Sequence, residues 1–483
     1  MVTLKTNAPE LAGEIAEEIR LFIDERRIEE SETAGEGYHL LQESCEKNGF
    51  YSKAVLFVDG KEVCSGECAL ELSAETELEF KKYKKRAAKQ SVYNCLKDYF
   101  KREMPWGSLT GIRPTKLLRK LIRENGEQEA LRILGEEYFV CEEKRSLAQQ
   151  ICREQREYID SANDKMVDIY IGIPFCTTRC AYCSFASGLT TKNGLAEQAY
   201  VDALLKEIDC SKEIFEKYPV RSVYIGGGTP SSLRPDQFRR VLDAAGGLAK
   251  GACEFTVEAG RPDTITQEKL ELIKAAGADR ISVNAQTTHN ETLVRIGRQH
   301  TAEEFFAAYQ LARKVGFDAI NMDMIIGLPG EDLGIVQKTV QDMIDMRPEN
   351  ITIHTLAIKR ASKFAADNAH AFAGAEEAEE MIRLTREMVA EGGYLPYYMY
   401  RQKYMAGNLE NVGYALPGKA CIYNIDIMEE TMSIVALGAG GISKRLFGEE
   451  DRIERAPNVK DIKHYTERTE EMAQRKLALF GCR

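Results

Sequence analysis

Six short apolar runs punctuate the middle of the chain: VDIYIGI from residue 167, SVYIGGG from 222, EFTVEA from 254, RISVNAQ from 280, INMDMIIGL from 320 and NITIHTLAI from 350. Each is a short β-rich run and reads as a strand. The segments between them have helical spacing. Strands alternating with helices predict parallel βα units. The Gly, Cys and charged residues collect at the C-terminal ends of the runs, where a parallel barrel places its chemistry. The expected class is α/β: an incomplete six-unit βα barrel over residues 165–360, since the alternation stops near residue 360.

The flanks follow other patterns. Residues 1–105 read as a small N-terminal α/β domain. In it, LAGEIAEEIRLFI has helical spacing and YSKAVLFVDGKEV alternates as strand, turn, strand about Asp59-Gly60. Residues 106–164 read as a helical connector that opens with a Pro/Gly loop around Trp106, the only Trp. Residues 361–483 form a C-terminal region covering the barrel, with a helix at GAEEAEEMIRLTREMVAEGG, a tyrosine-rich stretch YLPYYMYRQKY and a strand at SIVALGAGGIS.

Composition narrows the function classes. The 483 residues exceed one ordinary core, and 44% hydrophobic with 29% charged residues is a globular balance. A net charge of −11 disfavours non-specific binding to nucleic acid or anionic membrane. The basic run KKYKKRAAKQ, Lys81 to Gln90, is the one local argument for nucleic acid; such runs are usually solvated helix faces, and no nucleic-acid partner is expected. With no apolar run of membrane-spanning length and no signal peptide, the expectation is a cytoplasmic monomer with no membrane partner.

Most of the 13 cysteines are scattered singly; IGIPFCTTRCAYCSF, residues 171–185, instead gathers Cys176, Cys180 and Cys183. A structural zinc site takes four ligands, usually as two pairs, and no second pair or nearby His completes one. A catalytic disulfide would leave one thiol idle. Thiolates also hold iron–sulfur clusters. Three thiolates on four irons leave one iron open, and an open metal position signals reactivity.

C-x3-C-x2-C at the end of a first barrel strand, with Tyr182 before the last Cys, resembles the radical S-adenosylmethionine enzymes. The resemblance implies a [4Fe-4S] cluster on Cys176, Cys180 and Cys183, with S-adenosylmethionine chelated at the open iron. One electron from the cluster then cleaves the sulfonium to a 5′-deoxyadenosyl radical, and no catalytic residue beyond cluster and cofactor is implied. The other strand ends, in order and spacing, resemble one branch, the oxygen-independent coproporphyrinogen III oxidases. RQK, NLENVGY and LGAGGIS in the C-terminal region resemble most the group within it called HemZ. Carried over motif by motif, the implied cofactor contacts are Tyr170, Tyr182, the turn Gly227-Gly228-Thr229, Glu258, Gln286, Arg298, Asp323, Ala357 and Ile442.

The implied reaction is oxidative decarboxylation of two propionates of coproporphyrinogen III to vinyl groups, giving protoporphyrinogen IX in haem biosynthesis. It is an anaerobic reaction that draws electrons from a donor such as flavodoxin or ferredoxin. Substrate carboxylates need cations; the candidates are Arg113 and Lys116 in GIRPTK, and Arg401 and Lys403 in YRQK. Two positions depart from the family pattern: Gly172 stands where a His is usual, and Phe185 where a fourth, non-ligating Cys is common. Haem chaperones of the same superfamily also lack the fourth Cys, but they carry H-N-x-x-Y-W where this chain has Tyr423 in CIYNIDIM. Another tetrapyrrole reaction, methyl transfer or ring opening, is the second enzymatic alternative.

Overall fold

Alternation of apolar and polar positions carries the first sheet. In the computed structural model, strands β1 (Val2–Thr6), β2 (Ile28–Glu30), β3 (Tyr38–Glu46), β4 (Gly49–Val58) and β5 (Lys61–Glu71) lie in the order β2-β1-β3-β4-β5. The β4–β5 hairpin turns at Asp59 and Gly60, both at positive φ (49° and 77°), as a tight hairpin requires. Helices Ala12–Phe22 and Glu77–Phe100 cover one face, packing Ile15, Ile19, Val92 and Leu96 against Leu4, Leu40 and Leu56. The second helix holds the basic run. Four of its cations are used within this unit: Lys84 pairs with Glu10 (3.0 Å), Lys85 with Glu14 (3.5 Å), Arg86 with Glu137 and Lys89 with Glu18 (2.8 Å). The strands and these helices belong to a compact unit, Met1–Gln149; a second unit is Gln150–Arg483.

The described residues are 1–23, 25, 27–46, 49–71, 76–111, 113–185, 187–357, 362, 364, 374–402, 408–448 and 452–482.

The six apolar runs form the strands expected of them. They are β6 (Val167–Ile173), followed by the short pair β7 (Phe175–Cys176) and β8 (Gly188–Leu189), then β9 (Val220–Gly227), β10 (Glu254–Gly260), β11 (Arg280–Val283), β12 (Ile320–Ile326) and β13 (Asn350–Thr355). The six long strands run parallel in chain order, with helices between them, and the sheet is open. The α/β incomplete barrel is therefore correct, with one addition. Continuing the chain, β14 (Leu395–Tyr400), β15 (Asn411–Ala415), β16 (Ser433–Leu437), β17 (Ile442–Phe447) and β18 (Arg452–Pro457) extend both edges, and β16 pairs in parallel with β6. The strand itself was expected at SIVALGAGGIS; its place as a seventh parallel strand was hidden because a glycine turn and an antiparallel hairpin follow it, not another βα repeat.

That glycine turn is fixed from beneath. Gly438 has φ 93°, and a Cβ there would stand 2.5 Å from the Gly172 carbonyl, so β16 approaches β6 this closely only with glycine. Tyr200 Oη donates to the Gly172 carbonyl (2.6 Å) and accepts from the Ala439 amide (3.0 Å). The end of β6, from which the cysteine loop departs, is thereby held in place.

Candidate functional site

The loop carrying the three cysteines is tied at its base. The Gly188 amide donates to the Pro174 carbonyl (2.8 Å) and the Thr190 amide to the Cys176 carbonyl (3.0 Å). Inside it, the Cys183 amide donates to the Cys180 carbonyl (3.2 Å) and the Ala181 amide to the Ile296 carbonyl (2.9 Å). The turn after β9 is laid against its start: the Gly228 amide donates to the Ile173 carbonyl (2.8 Å) and the Thr229 amide to the Phe175 carbonyl (2.7 Å). A Cβ on Gly228 would come within 2.5 Å of that Phe175 carbonyl, which is why the position is glycine. Thr229 Oγ1 lies 3.5 Å from Cys176 Sγ.

A cavity of about 430 Å³ opens at the C-terminal ends of β6 to β13. It is lined by all three cysteines and by Tyr170, Tyr182, Gly227, Gly228, Thr229, Glu258, Gln286, Arg298, Asp323 and Ala357. Ten of the eleven expected contacts thus share one space with the thiols. Ile442, the eleventh, begins β17 opposite Pro457, 44% exposed, and is not among the lining residues. Arg401 is buried and donates from Nη2 to the Asn408 carbonyl (2.9 Å), and it does not line the cavity. Arg113 and Lys116 belong to the other unit, at the start of helix Pro114–Asn125, and Lys403 lies outside the described residues.

The wall contains polar atoms without protein partners. Among the described residues, Gln286 Oε1, Asn284 Oδ1, Ser282 Oγ and both Nε and Nη1 of Arg298 are buried and make no hydrogen bond. Arg298 spends only Nη2, on Tyr182 Oη (3.1 Å). Gln286 adopts φ +67°, rare for a residue with a side chain, and its backbone bridges Asp323 and Ile325 (both 2.9 Å). Buried groups left unpaired cost about 1–3 kcal/mol each, so such a row marks a ligand surface.

Two carboxylates face the same space under opposite influences. Burial pushes Glu258 up to about 7, although Tyr224 Oη donates to it (2.6 Å). Burial acts on Asp323 too, but the neighbouring His354 imidazole and the polar side chains of Asn321 and Thr352 prevail and hold it below the usual carboxylate range. Asn321 Nδ2 reaches Asp323 Oδ1 at 2.7 Å, and His354 Nε2 lies 3.8 Å from Oδ2. Beneath them the cavity is floored by aromatic rings. Tyr423 stacks on Tyr224 (centroids 4.5 Å apart) and faces Tyr170 at 6.3 Å.

The sequence reading missed Ser282, Asn284, Asn321, Thr352 and His354, all of which line the cavity. A signal was available. Side chains two residues apart share one face of a strand, so the inward choice of Gln286 and Asp323 already implied 284, 282 and 321.

The Radical SAM superfamily matches residues 170–343. The oxygen-independent coproporphyrinogen-III oxidase-like protein HemZ of Bacillus subtilis is 40% identical over 413 residues, covering 83% of this chain and 82% of its own. The protein belongs to that radical SAM family. The heme chaperone HemW of the same organism is 32% identical over 202 residues, 41% of this chain and 52% of HemW. Among solved structures, coproporphyrinogen III oxidase HemN from Escherichia coli shares the fold, with a TM-score of 0.52 and 22% identity over 66% of this chain and 72% of that one.

The family's cofactors are a [4Fe-4S] cluster and S-adenosylmethionine, and the residues present fit both. Burial pushes the Cys183 thiol up and the neighbouring thiols add to it, so a cationic partner is needed to hold three thiolates together. Among the described residues no three thiol, imidazole or carboxylate groups close on one point as ligands of a single ion do. A cluster instead presents a separate iron to each thiolate. The unpaired amide and guanidinium groups, the glycine turn and the carboxylates match a ligand with a carboxylate, an ammonium and ribose hydroxyls.

Proposed function

We propose that the protein is an oxygen-independent coproporphyrinogen III dehydrogenase acting by radical chemistry. Cys176, Cys180 and Cys183 hold the cluster, which with S-adenosylmethionine supplies a hydrogen-abstracting carbon radical. Gly227, Gly228 and Thr229 present backbone groups to the methionine end of the cofactor. Gln286 and Arg298 use their unpaired donors and acceptor on its polar groups, and Glu258 and Asp323 accept from its ammonium or hydroxyls. Tyr170, Tyr182 and Ala357 complete the walls. The substrate loses a hydrogen atom from the propionate carbon next to the ring, then CO2 and one electron, leaving a vinyl group; this happens at two propionates. The electron leaving the substrate goes to an acceptor, and the cluster is reduced by a flavodoxin- or ferredoxin-like donor.

What supports the reading is likeness to the coproporphyrinogen-III oxidase-like relative, 40% identity over 83% of the chain, joined to a cavity lined by the three thiols and by ten of the residues carried over as cofactor contacts. The haem-chaperone alternative is disfavoured at Tyr423, which stands where those proteins carry His and is buried in the ring stack, not among the residues lining the cavity. The test is anaerobic reconstitution of the cluster, followed by reductant, S-adenosylmethionine and coproporphyrinogen III, with mass spectrometry of the products. Loss of two CO2 per porphyrinogen is expected. Formation of 5′-deoxyadenosine with all four propionates retained would show that the substrate is wrong, and cluster retention in the triple Cys176/Cys180/Cys183→Ala variant would show that the site is wrong.

A further inference from the structure

The loop bearing the thiols is gripped by a residue to which no cofactor contact has been given. Arg261 follows β10, and its side chain is 4% exposed. Its Nη1 donates to the Thr178 carbonyl (3.1 Å) and Thr178 Oγ1 (2.7 Å) and approaches Cys180 Sγ at 3.8 Å. Its other edge is taken by Asp263, with Nε to Oδ1 and Nη2 to Oδ2 both at 3.0 Å. Asp263 also accepts from Thr177 Oγ1 (3.2 Å). A buried guanidinium is thus wedged between a carboxylate and one of the three thiols.

We propose that Arg261, with Asp263 as its counter-charge, sets the reduction potential of the cluster through Cys180. Reducing the cluster adds one electron from a low-potential one-electron donor and changes no bond at Arg261. The added negative charge spreads onto the thiolate sulfurs. A fixed positive charge and an N–H donor beside one of them favour the reduced form, and the low dielectric of a buried site strengthens the effect. Asp263 opposes it: its carboxylate neutralises much of the guanidinium and holds the potential low enough to drive a demanding reduction. The two residues therefore act in opposite directions on one quantity. A loop staple alone would not have that property, because removing either residue would simply loosen the loop.

Arg261 is a positioning residue, and the inference rests on the assignment of Cys180 as a cluster ligand, not on the tetrapyrrole reading. The test uses the full chain, reconstituted anaerobically, without S-adenosylmethionine or porphyrinogen. The midpoint of the cluster is read by electron paramagnetic resonance during a redox titration of the native protein and the Arg261→Gln, Arg261→Lys and Asp263→Asn variants. Arg261→Gln is expected to lower the reduced-to-oxidised ratio at fixed potential about tenfold, a shift of about 59 mV for one electron toward more negative values. Asp263→Asn is expected to move the midpoint the other way, and Arg261→Lys to fall between native and Arg261→Gln. An unchanged midpoint in Arg261→Gln with full iron content overturns the proposal, as does a shift of the same sign in Arg261→Gln and Asp263→Asn. If Arg261→Gln fails to hold iron, the direction of the Asp263→Asn shift decides.

Discussion

Two buried polar clusters lie in the barrel unit, and they are built on opposite principles. Behind β6, Glu207 accepts from the Gly438 amide (2.7 Å), Tyr465 Oη (2.5 Å), Asn458 Nδ2 (2.8 Å) and Lys476 Nζ. Lys476 Nζ in turn donates to Asn458 Oδ1 (2.7 Å) and the Met472 carbonyl (3.1 Å). Both charged side chains are wholly buried, and their donors and acceptors meet one another. In the cavity wall, Gln286, Ser282 and Arg298 are also buried and Asn284 is half-buried, yet they hold out buried atoms with no protein partner. Burial and polarity alone therefore do not mark a site. A closed network fixes the glycine turn of β16 against β6, whereas an open one waits for a ligand.

The sharpest way to break this contrast is to open the closed cluster. Lys476→Met leaves Glu207 buried without its cation and is expected to cost about 3–5 kcal/mol of stability. Denaturant unfolding measures it, with Glu207→Gln/Lys476→Met recovering much of the loss. Binding of S-adenosylmethionine to the folded variant should stay within a factor of about two of native, since no cavity-lining residue changes. A cost below about 1 kcal/mol would mean that the network is not closed in the sense argued.

The converse change acts on the open wall. Arg298→Met removes two buried donors that have no partner in the protein, so stability should hold or rise. Affinity for S-adenosylmethionine should fall, because a charged hydrogen bond worth about 1.5–3 kcal/mol is lost, roughly 10- to 100-fold. Calorimetric titration on the reconstituted protein reads this directly. Equal affinity with reduced stability would place Arg298 among the structural groups.

The same contrast explains what could be read from sequence. The strands, their parallel order and the cysteine loop follow from local pattern: apolar runs of fixed length, and three thiols at a short spacing. Gln286, Arg298 and Asp323 were reached through resemblance, but Asn321, Asn284 and Ser282 needed only the two-residue strand period applied inward from Gln286 and Asp323. Arg261 had no such signal. Its meaning depends on Thr178 and Cys180, 83 and 81 residues away, which only the fold brings to it. The pairing of β16 was similarly obscured, since its partner β6 is far away in sequence and no repeat announces it. Glu207 and Lys476, 269 residues apart, would each pass in sequence for an exposed helix charge.

The smallest expected effect concerns pH. Glu258 is the cavity carboxyl raised to about 7 from 4.5, chiefly by burial. Because its folded value is the higher one, its contribution to stability is complete below about pH 4.5 and is lost as pH rises through about 7. A ligand that offers a positive charge or a hydrogen-bond donor needs the ionised form, so binding expels the proton where one is held. Affinity should then weaken below pH 7, roughly fivefold between pH 7 and pH 6. Asp323, held low by His354 and Asn321, stays ionised across that window and contributes no slope. The measurement is the pH dependence of S-adenosylmethionine affinity in the native protein relative to Glu258→Gln, which cancels titration of the ligand itself. If both proteins show the same slope, Glu258 does not face the cofactor, and the open wall ends at Gln286 and Arg298.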